Sequence, residues 1–404
     1  MSSARILILT GSHLCRNPRV VKEASALASA GHAVTVLGVR SHRPSVSLDA
    51  EIVADARFRH LTVEALDGLA AFLSRARTRL ARELLRRTGR ELPAALGPVH
   101  ALLSAARRLP ADLVIAHTEP ALWAAARLLA DGRRVAADLE DWHSEDLLPE
   151  ARSTRPLRLL QNIERALLHR AAYVTTTSQA LSSALHARYG GPRAEVLLNA
   201  FPLTTPGRAA TEASTAGPAF FWASQTLGPG RGLEAFLRAW SLLTQPSRVV
   251  LVGTPVPGYV EILLRLVPDS RRASIQVIPF VPPNALPPLI ARHDIGLALE
   301  PSFPPNKDLT ISNKILHYLT CGLAVLATPT AGQREVLAAA PEAGLLDDFT
   351  DPAASAARLD ALLADPSRLA AKRAAARAAA EREFCWERQA PRLLALVHRS
   401  LSMR

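Results

Sequence analysis

Apolar residues come in short bursts along this chain, separated by stretches with helical spacing. The first burst, residues 6–10 (ILILT), ends at Gly11 and Ser12. Asn17 then stands where a side-chain oxygen can cap a helix, and Pro18 takes the first helical position, where a missing N–H costs nothing. Val20, Val21, Ala24, Leu27 and Ala28 keep helical spacing and Gly31 closes the element. Residues 33–37 read as the next strand. The alternation returns with runs at 112–116, 134–138, 173–177 and 195–198, and with a helix over 122–129. Helices between short buried strands predict a parallel sheet covered on both faces.

The stretch 199–202 (NAFP) stops this pattern. Residues 203–217, rich in Thr, Ala, Gly and Pro, read as a linker. A second alternating series follows at 219–223, 248–252, 275–279, 295–299 and 324–327, and the end, 386–401, reads as a helix. The prediction is an α/β chain of two Rossmann-like, doubly wound domains facing a central cleft, at the carboxyl ends of the strands where such sheets bind ligands. The divisions are 1–202, a linker at 203–217, 218–385, and a helix at 386–404.

Composition fits this picture. A chain of 404 residues suits two domains, and 49% hydrophobic residues can fill two cores. No apolar run is long enough to span a bilayer. The start, MSSARILILTG, lacks a signal-peptide pattern, and Cys15, Cys321 and Cys385 are scattered without metal spacing. Both features predict a cytoplasmic protein without disulfides.

Charge adds a question. The net charge of +12 calls for an anionic partner. Arg75, Arg77, Arg79, Arg82, Arg86, Arg87 and Arg90 crowd one segment, interleaved with Leu73, Leu80, Leu84 and Leu85. Two readings stay open for this basic amphipathic helix: a contact with an anionic membrane at the inner face of the cell, or a solvated face. Nucleic acid is disfavoured, since no binding module and no aromatic interleaving accompanies the charge.

Two segments of the second half are suited to phosphate. The run 228–232 (GPGRG) follows a strand and opens a helix. There Gly230 lets the backbone approach an anion, and Arg231 offers a fixed bidentate charge. The run 307–322 (KDLTISNKILHYLTCG) follows a strand ending at Glu300. Ser312 can cap a helix flanked by Lys307 and Lys314, with Gly322 as its stop. A tight turn and a capped surface helix are the plain alternatives. In the first half, 138–145 (DLEDWHSE) packs titratable groups just after a strand, with Asp141 and His143 the candidates for orienting a hydroxyl. His13 reads as loop, and His117 as a strand-end residue that can face the cleft.

These segments carry a resemblance. The opening strand with NPRVVKEASALASAGHAVTVL, then VLLNAFP, SQTLGPGRGLEAFLRAW, HDIGLALEPS, SNKILHYLTCGLAVLATPTAGQREVL and FCWERQAPRLLALV, resembles the GT-B glycosyltransferases of family 4, in order and over nearly the full length. The resemblance implies retaining transfer from a UDP- or GDP-sugar to an acceptor hydroxyl of a saccharide, lipid-linked saccharide or small molecule. It makes the first domain the acceptor side and the second the donor side, with the last helix crossing back to the first. No cofactor is implied beyond the nucleotide sugar. No metal is needed, because Arg231, Lys314 and a helix end can offset the leaving diphosphate. By the same resemblance Gly11 lies in the loop near the transferred sugar, and Glu335 is the acid after the glycine turn that follows the last strand. Asp141 and His143 fall in the Asp/His/Glu segment at the cleft mouth.

One position departs from the family. His317 stands where a ribose-binding glutamate is usual, and Leu309 where its partner glutamate would be, with Asp308 adjacent. A neutral imidazole can still accept a hydroxyl bond. A catalytically degenerate scaffold and a nucleotide-sugar epimerase are the alternatives that share this architecture. A dinucleotide oxidoreductase is disfavoured, because no Gly-x-Gly-x-x-Gly follows the first strand.

Overall fold

A computed structural model of the chain describes residues 3–204 and 217–402. The chain divides into two compact units. The first is Met1–Leu197 with Pro304–Asn306 and Ala390–Arg404; the second is Leu198–Phe303 with Lys307–Gln389. Most of the expected linker, 205–216, lies outside the described residues. The residues just before it belong to the second unit: Leu198 N–H donates to Gln389 Oε1 at 3.2 Å, and Phe201 bridges Cys385.

In the first unit, seven strands lie in the order β3-β2-β1-β4-β5-β6-β7. They are β1 Arg5–Thr10, β2 Ala33–Arg40, β3 Arg59–Glu64, β4 Leu113–His117, β5 Val135–Leu139, β6 Val174–Thr176 and β7 Glu195–Val196. Every pairing is parallel, with Ile6 facing Val34 on one side and Leu113 on the other. The chain winds outward from β1 to β3, then restarts at β4 on β1's other side. That reversal puts the carboxyl ends of β1 and β4 at the switch point where doubly wound sheets bind ligands.

The second unit repeats the scheme with six strands, β10-β9-β8-β11-β12-β13. These are β8 Ala219–Leu227, β9 Arg248–Pro255, β10 Ile275–Ile278, β11 Ile295–Ala298, β12 Ala324–Ala327 and β13 Gly344–Leu346. Its switch point lies at the ends of β8 and β11. Strands β1, β4, β5, β11 and β12 are continuous buried runs, as both-faced burial demands. Two edge strands escape the hydrophobic pattern. β3 has no fully buried residue, and β13 is only three residues long.

Helix ends follow local chemistry. Asn17 Oδ1 accepts from Val20 N–H at 3.3 Å and starts the Pro18–Ser29 helix. Ser312 Oγ accepts from Lys314 N–H at 3.2 Å and starts Asn313–Cys321, which ends at Gly322 in the left-handed region. In the core of the second unit Trp222, Trp240, Phe220 and Phe236 are fully buried. There the Tyr318 ring lies across β11 at Gly296, so that a Cβ at Gly296 would run into the ring. Gly296→Ala is therefore expected to cost about 1–3 kcal/mol of stability through overpacking. Urea unfolding measures this, and an unchanged midpoint would refute the packing account.

Candidate functional site

The second unit gathers cations at its switch point. The loop after β8 holds Gly230 and Gly232 with φ of 74° each, a conformation that suits glycine. Between them is Arg231, and the Leu233–Trp240 helix follows. After β11 stands Glu300, whose carboxylate accepts from the Lys314 ammonium and, at 3.1 Å, from the Ser312 hydroxyl. Its backbone is clamped by Thr328, whose hydroxyl accepts from Glu300 N–H at 2.8 Å and donates to Glu300 O at 2.7 Å. Gln333, fully buried, donates to Thr328 O at 2.7 Å. Burial works to raise the Glu300 carboxyl, but Lys314, with Lys307 and Arg231, outweighs it and holds the group below the ordinary range.

Glu300 thus sits among Lys314, Lys307 and Arg231, and cations gathered beside a glycine loop suit a diphosphate. The sequence placed Lys314 at the phosphate; its ammonium rests on Glu300, a pairing across the loop that the sequence did not reveal. His317, one turn along its helix, stacks on Phe201 with ring centroids 3.4 Å apart and planes 26° apart. Glu335 is half-buried on the Ala331–Ala339 helix, the helix that also carries Gln333.

In the first unit, Gly11 follows β1, and its N–H donates to Thr118 Oγ1 at 2.8 Å. Thr118 follows β4 with φ at 69°, strained for a branched residue. A Cβ on Gly11 would lie 2.6 Å from the Pro120 ring, so this loop admits glycine alone without movement. Asp141 and His143 share a segment but not a partner. Asp141 Oδ1 accepts from Asn306 Nδ2 at 2.7 Å, and Asn306 Oδ1 accepts from Trp142 N–H at 2.7 Å. His143 Nδ1 lies 3.9 Å from Glu119 Oε1, while its Nε2 is buried with no hydrogen-bond partner among the described residues. Ser144, bonded through Oγ to Glu164 at 2.7 Å, anchors the segment from behind. Burial lifts the Glu140 carboxyl to about 7, with Arg19 opposing and Asp141 and Asp138 adding to the rise.

Beneath this segment lies a sealed cluster of charges. Arg19 makes bidentate contacts to Asp138, at 2.5 and 2.8 Å, donates to Leu197 O at 2.9 Å and reaches Glu23 at 3.3 Å. His117 lies between Asp138 at 3.0 Å and Glu23 at 3.2 Å. All four side chains are buried. Burial alone would lower the His117 pKa, but Glu23 and Asp138 outweigh it and raise it to about 10. Glu23, His117 and Asp138 have donor atoms within 4.8 Å of one another, a metal-like grouping. Arg19 already fills the position of the cation there, so the cluster is a balanced quartet of two cations and two carboxylates.

Comparison with known proteins shows the family. Residues 17–201 match the family model described as Glycosyl transferase 4-like domain, and residues 218–365 match Glycosyl transferases group 1. The chain is a family-4 GT-B glycosyltransferase. Among solved structures, HepE of Anabaena in complex with UDP-glucose is 18% identical, with a TM-score of 0.70, covering 98% of this chain and 99% of its own. The sucrose-phosphate synthase of Thermosynechococcus elongatus is 16% identical, with a TM-score of 0.71 and 98% of both chains covered. A UDP-forming trehalose-phosphate synthase of Burkholderia xenovorans is 14% identical, with a TM-score of 0.67, covering 98% of this chain and 99% of its own. These likenesses establish the fold. No curated protein sequence matches the enzyme.

Sequence reasoning missed Arg19, Glu23, Thr118 and Asn306 in this glycosyltransferase. Arg19 and Glu23 look like an ordinary i, i+4 surface pair, and only the long-range Asp138 contact distinguishes them. The quartet makes His117 a stability group. An unfolded histidine loses its proton near 6.5. With the folded value raised to about 10, its contribution is complete below the unfolded value and is lost as pH climbs through about 10. Burial, aided by Arg19, pulls Lys22 down to about 7, which acts in the opposite sense over that window, so the readout is a difference. His117→Ala is expected to cost about 3–5 kcal/mol at neutral pH by leaving two buried carboxylates to one guanidinium. Denaturant titrations should show this gap between parent and variant shrinking as pH rises towards about 10; a gap independent of pH would mean a neutral histidine.

Proposed function

We propose that this glycosyltransferase takes its sugar from a UDP-sugar and passes it, with retention at the anomeric carbon, to a hydroxyl of a saccharide, lipid-linked saccharide or small molecule. The observation that carries the donor side is the gathering of Arg231, Lys307 and Lys314 around Glu300 at the ends of β8 and β11. As the bond between sugar and diphosphate breaks, negative charge grows on the leaving oxygen. Arg231, Lys307 and the N-terminal N–H groups of the Leu233–Trp240 and Asn313–Cys321 helices are suited to receive it. Glu300 holds Lys314 in place and keeps its charge from dominating the site. UDP rather than GDP is favoured, because HepE was solved with UDP-glucose and the Burkholderia synthase is described as UDP-forming. On the acceptor side, the buried His143 Nε2 supplies a ring nitrogen for a hydroxyl, and Asn306 fixes the carboxylate of Asp141 in the same segment. Gly11 leaves room for the transferred sugar.

Two variants examine the donor reading. Arg231→Ala should weaken UDP binding by about 1.5–3 kcal/mol, the range for a lost hydrogen bond to a charged group. Calorimetry with UDP and GDP measures it, and unchanged affinity for whichever nucleotide binds would remove Arg231 from the site. A panel of UDP-sugars assayed by UDP release then identifies the sugar.

His317, stacked on Phe201, is read as the acceptor of one ribose bond. Hydrogen bonds to an ionised acceptor are roughly twice as strong as neutral ones, so His317→Glu should tighten UDP binding and His317→Ala loosen it. If the glutamate variant loses binding while the alanine variant keeps it, the histidine does not take the acid's place.

A further inference from the structure

The Gly68–Thr88 helix of the first unit is amphipathic in the inverted sense. Its buried residues are Ala71, Ala81 and Leu85, mostly small. Its large apolar residues meet water: Leu69 is 73% exposed, Phe72 57%, Leu73 45% and Leu80 71%. Leu69, Leu73, Ala76 and Leu80 recur in steps of four and three, which aligns them in one stripe opposite the buried side.

The rotation of this helix is fixed by two arginines. Arg75 donates to the carbonyls of Ala65 at 2.7 Å and Leu66 at 2.5 Å, and Arg82 donates to Ala95 O at 2.9 Å. These residues, which the sequence groups with the basic face, hold the helix down and leave the leucines pointing out. Arg77 and Arg79 are exposed and flank the stripe on its two sides. Arg86 and Arg87 both pair with Glu83, the single acid of the helix. Six arginines less one glutamate leave the helix at +5.

Exposed contiguous apolar surface on a soluble protein marks a contact site. Charge complementarity selects the occupant. A second copy would set one +5 helix against another, with like charges opposed. An anionic lipid surface satisfies both features at once, its headgroups meeting the arginines and its acyl boundary taking the leucines and Phe72. We propose that this helix seats the enzyme on an anionic membrane, a role that does not depend on the identity of the donor.

The test is flotation of the full-length enzyme with phosphatidylcholine vesicles, with and without a third of phosphatidylglycerol. Binding is expected to the anionic vesicles only, and to fall as salt screens the arginines. Leu73→Gln with Leu80→Gln should lower the partition coefficient about tenfold or more, and Arg77→Glu with Arg79→Glu should do likewise. These positions face solvent, and unchanged melting temperature and circular dichroism certify that each variant is folded. Equal binding to neutral vesicles, or leucine variants that float like the parent, would overturn the proposal. So would a parent that fails to float and sediments as a dimer which the leucine variants dissociate, since the face would then belong to a second copy.

Discussion

A guanidinium shut away from water must find its counter-charge inside the protein, and Arg19 arranges the first unit around that requirement. Desolvating an ion costs several kcal/mol, and only good geometry with satisfied donors offsets it. Arg19 meets the condition by reaching three separate parts of the chain: Asp138 at the end of β5, Glu23 one helical turn on, and the Leu197 carbonyl where the unit ends. Thr175 on β6 adds a bond to Asp138 at 2.7 Å. The segment with Asp141 and His143 leaves the sheet from this fixed point, so its course is set by a contact made beneath it.

The two units solve the same topological problem with different electrostatics. Both place loops at the switch between their first and fourth strands, and both put charge there. In the first unit the charges balance and are sealed, which makes a foundation. In the second, Glu300 lies among Lys314, Lys307 and Arg231, beside glycines that open the backbone.

Much of this was legible from the chain itself wherever the determining contact is local. Asn17, Ser312 and Gly322 mark helix ends because caps are read within a few residues. The central strands show as apolar runs because both their faces are buried. The edges β3 and β13 do not, since an edge half open to water needs no such run. In the second unit the glycine loop with Arg231 stands out by spacing, whereas the Lys314–Glu300 pair and the Phe201 stack on His317 close across longer stretches of sequence, as does the Asn306 clamp on Asp141 in the first unit. His13 shows the same limit. It reads as loop, yet it is buried, with Nδ1 at 2.6 Å from Asp49 and Nε2 accepting from the N–H groups of Ser41 and His42 at 3.0 Å each.

The sealed quartet also constrains how this enzyme can evolve. Replacing any one member strands an opposite charge in the interior, so single substitutions there are selected against even where a joint replacement by apolar residues would fold. Arg19, Glu23, His117 and Asp138 therefore form an epistatic block. The loops above it can change one residue at a time, while the block itself changes together or stays as it is.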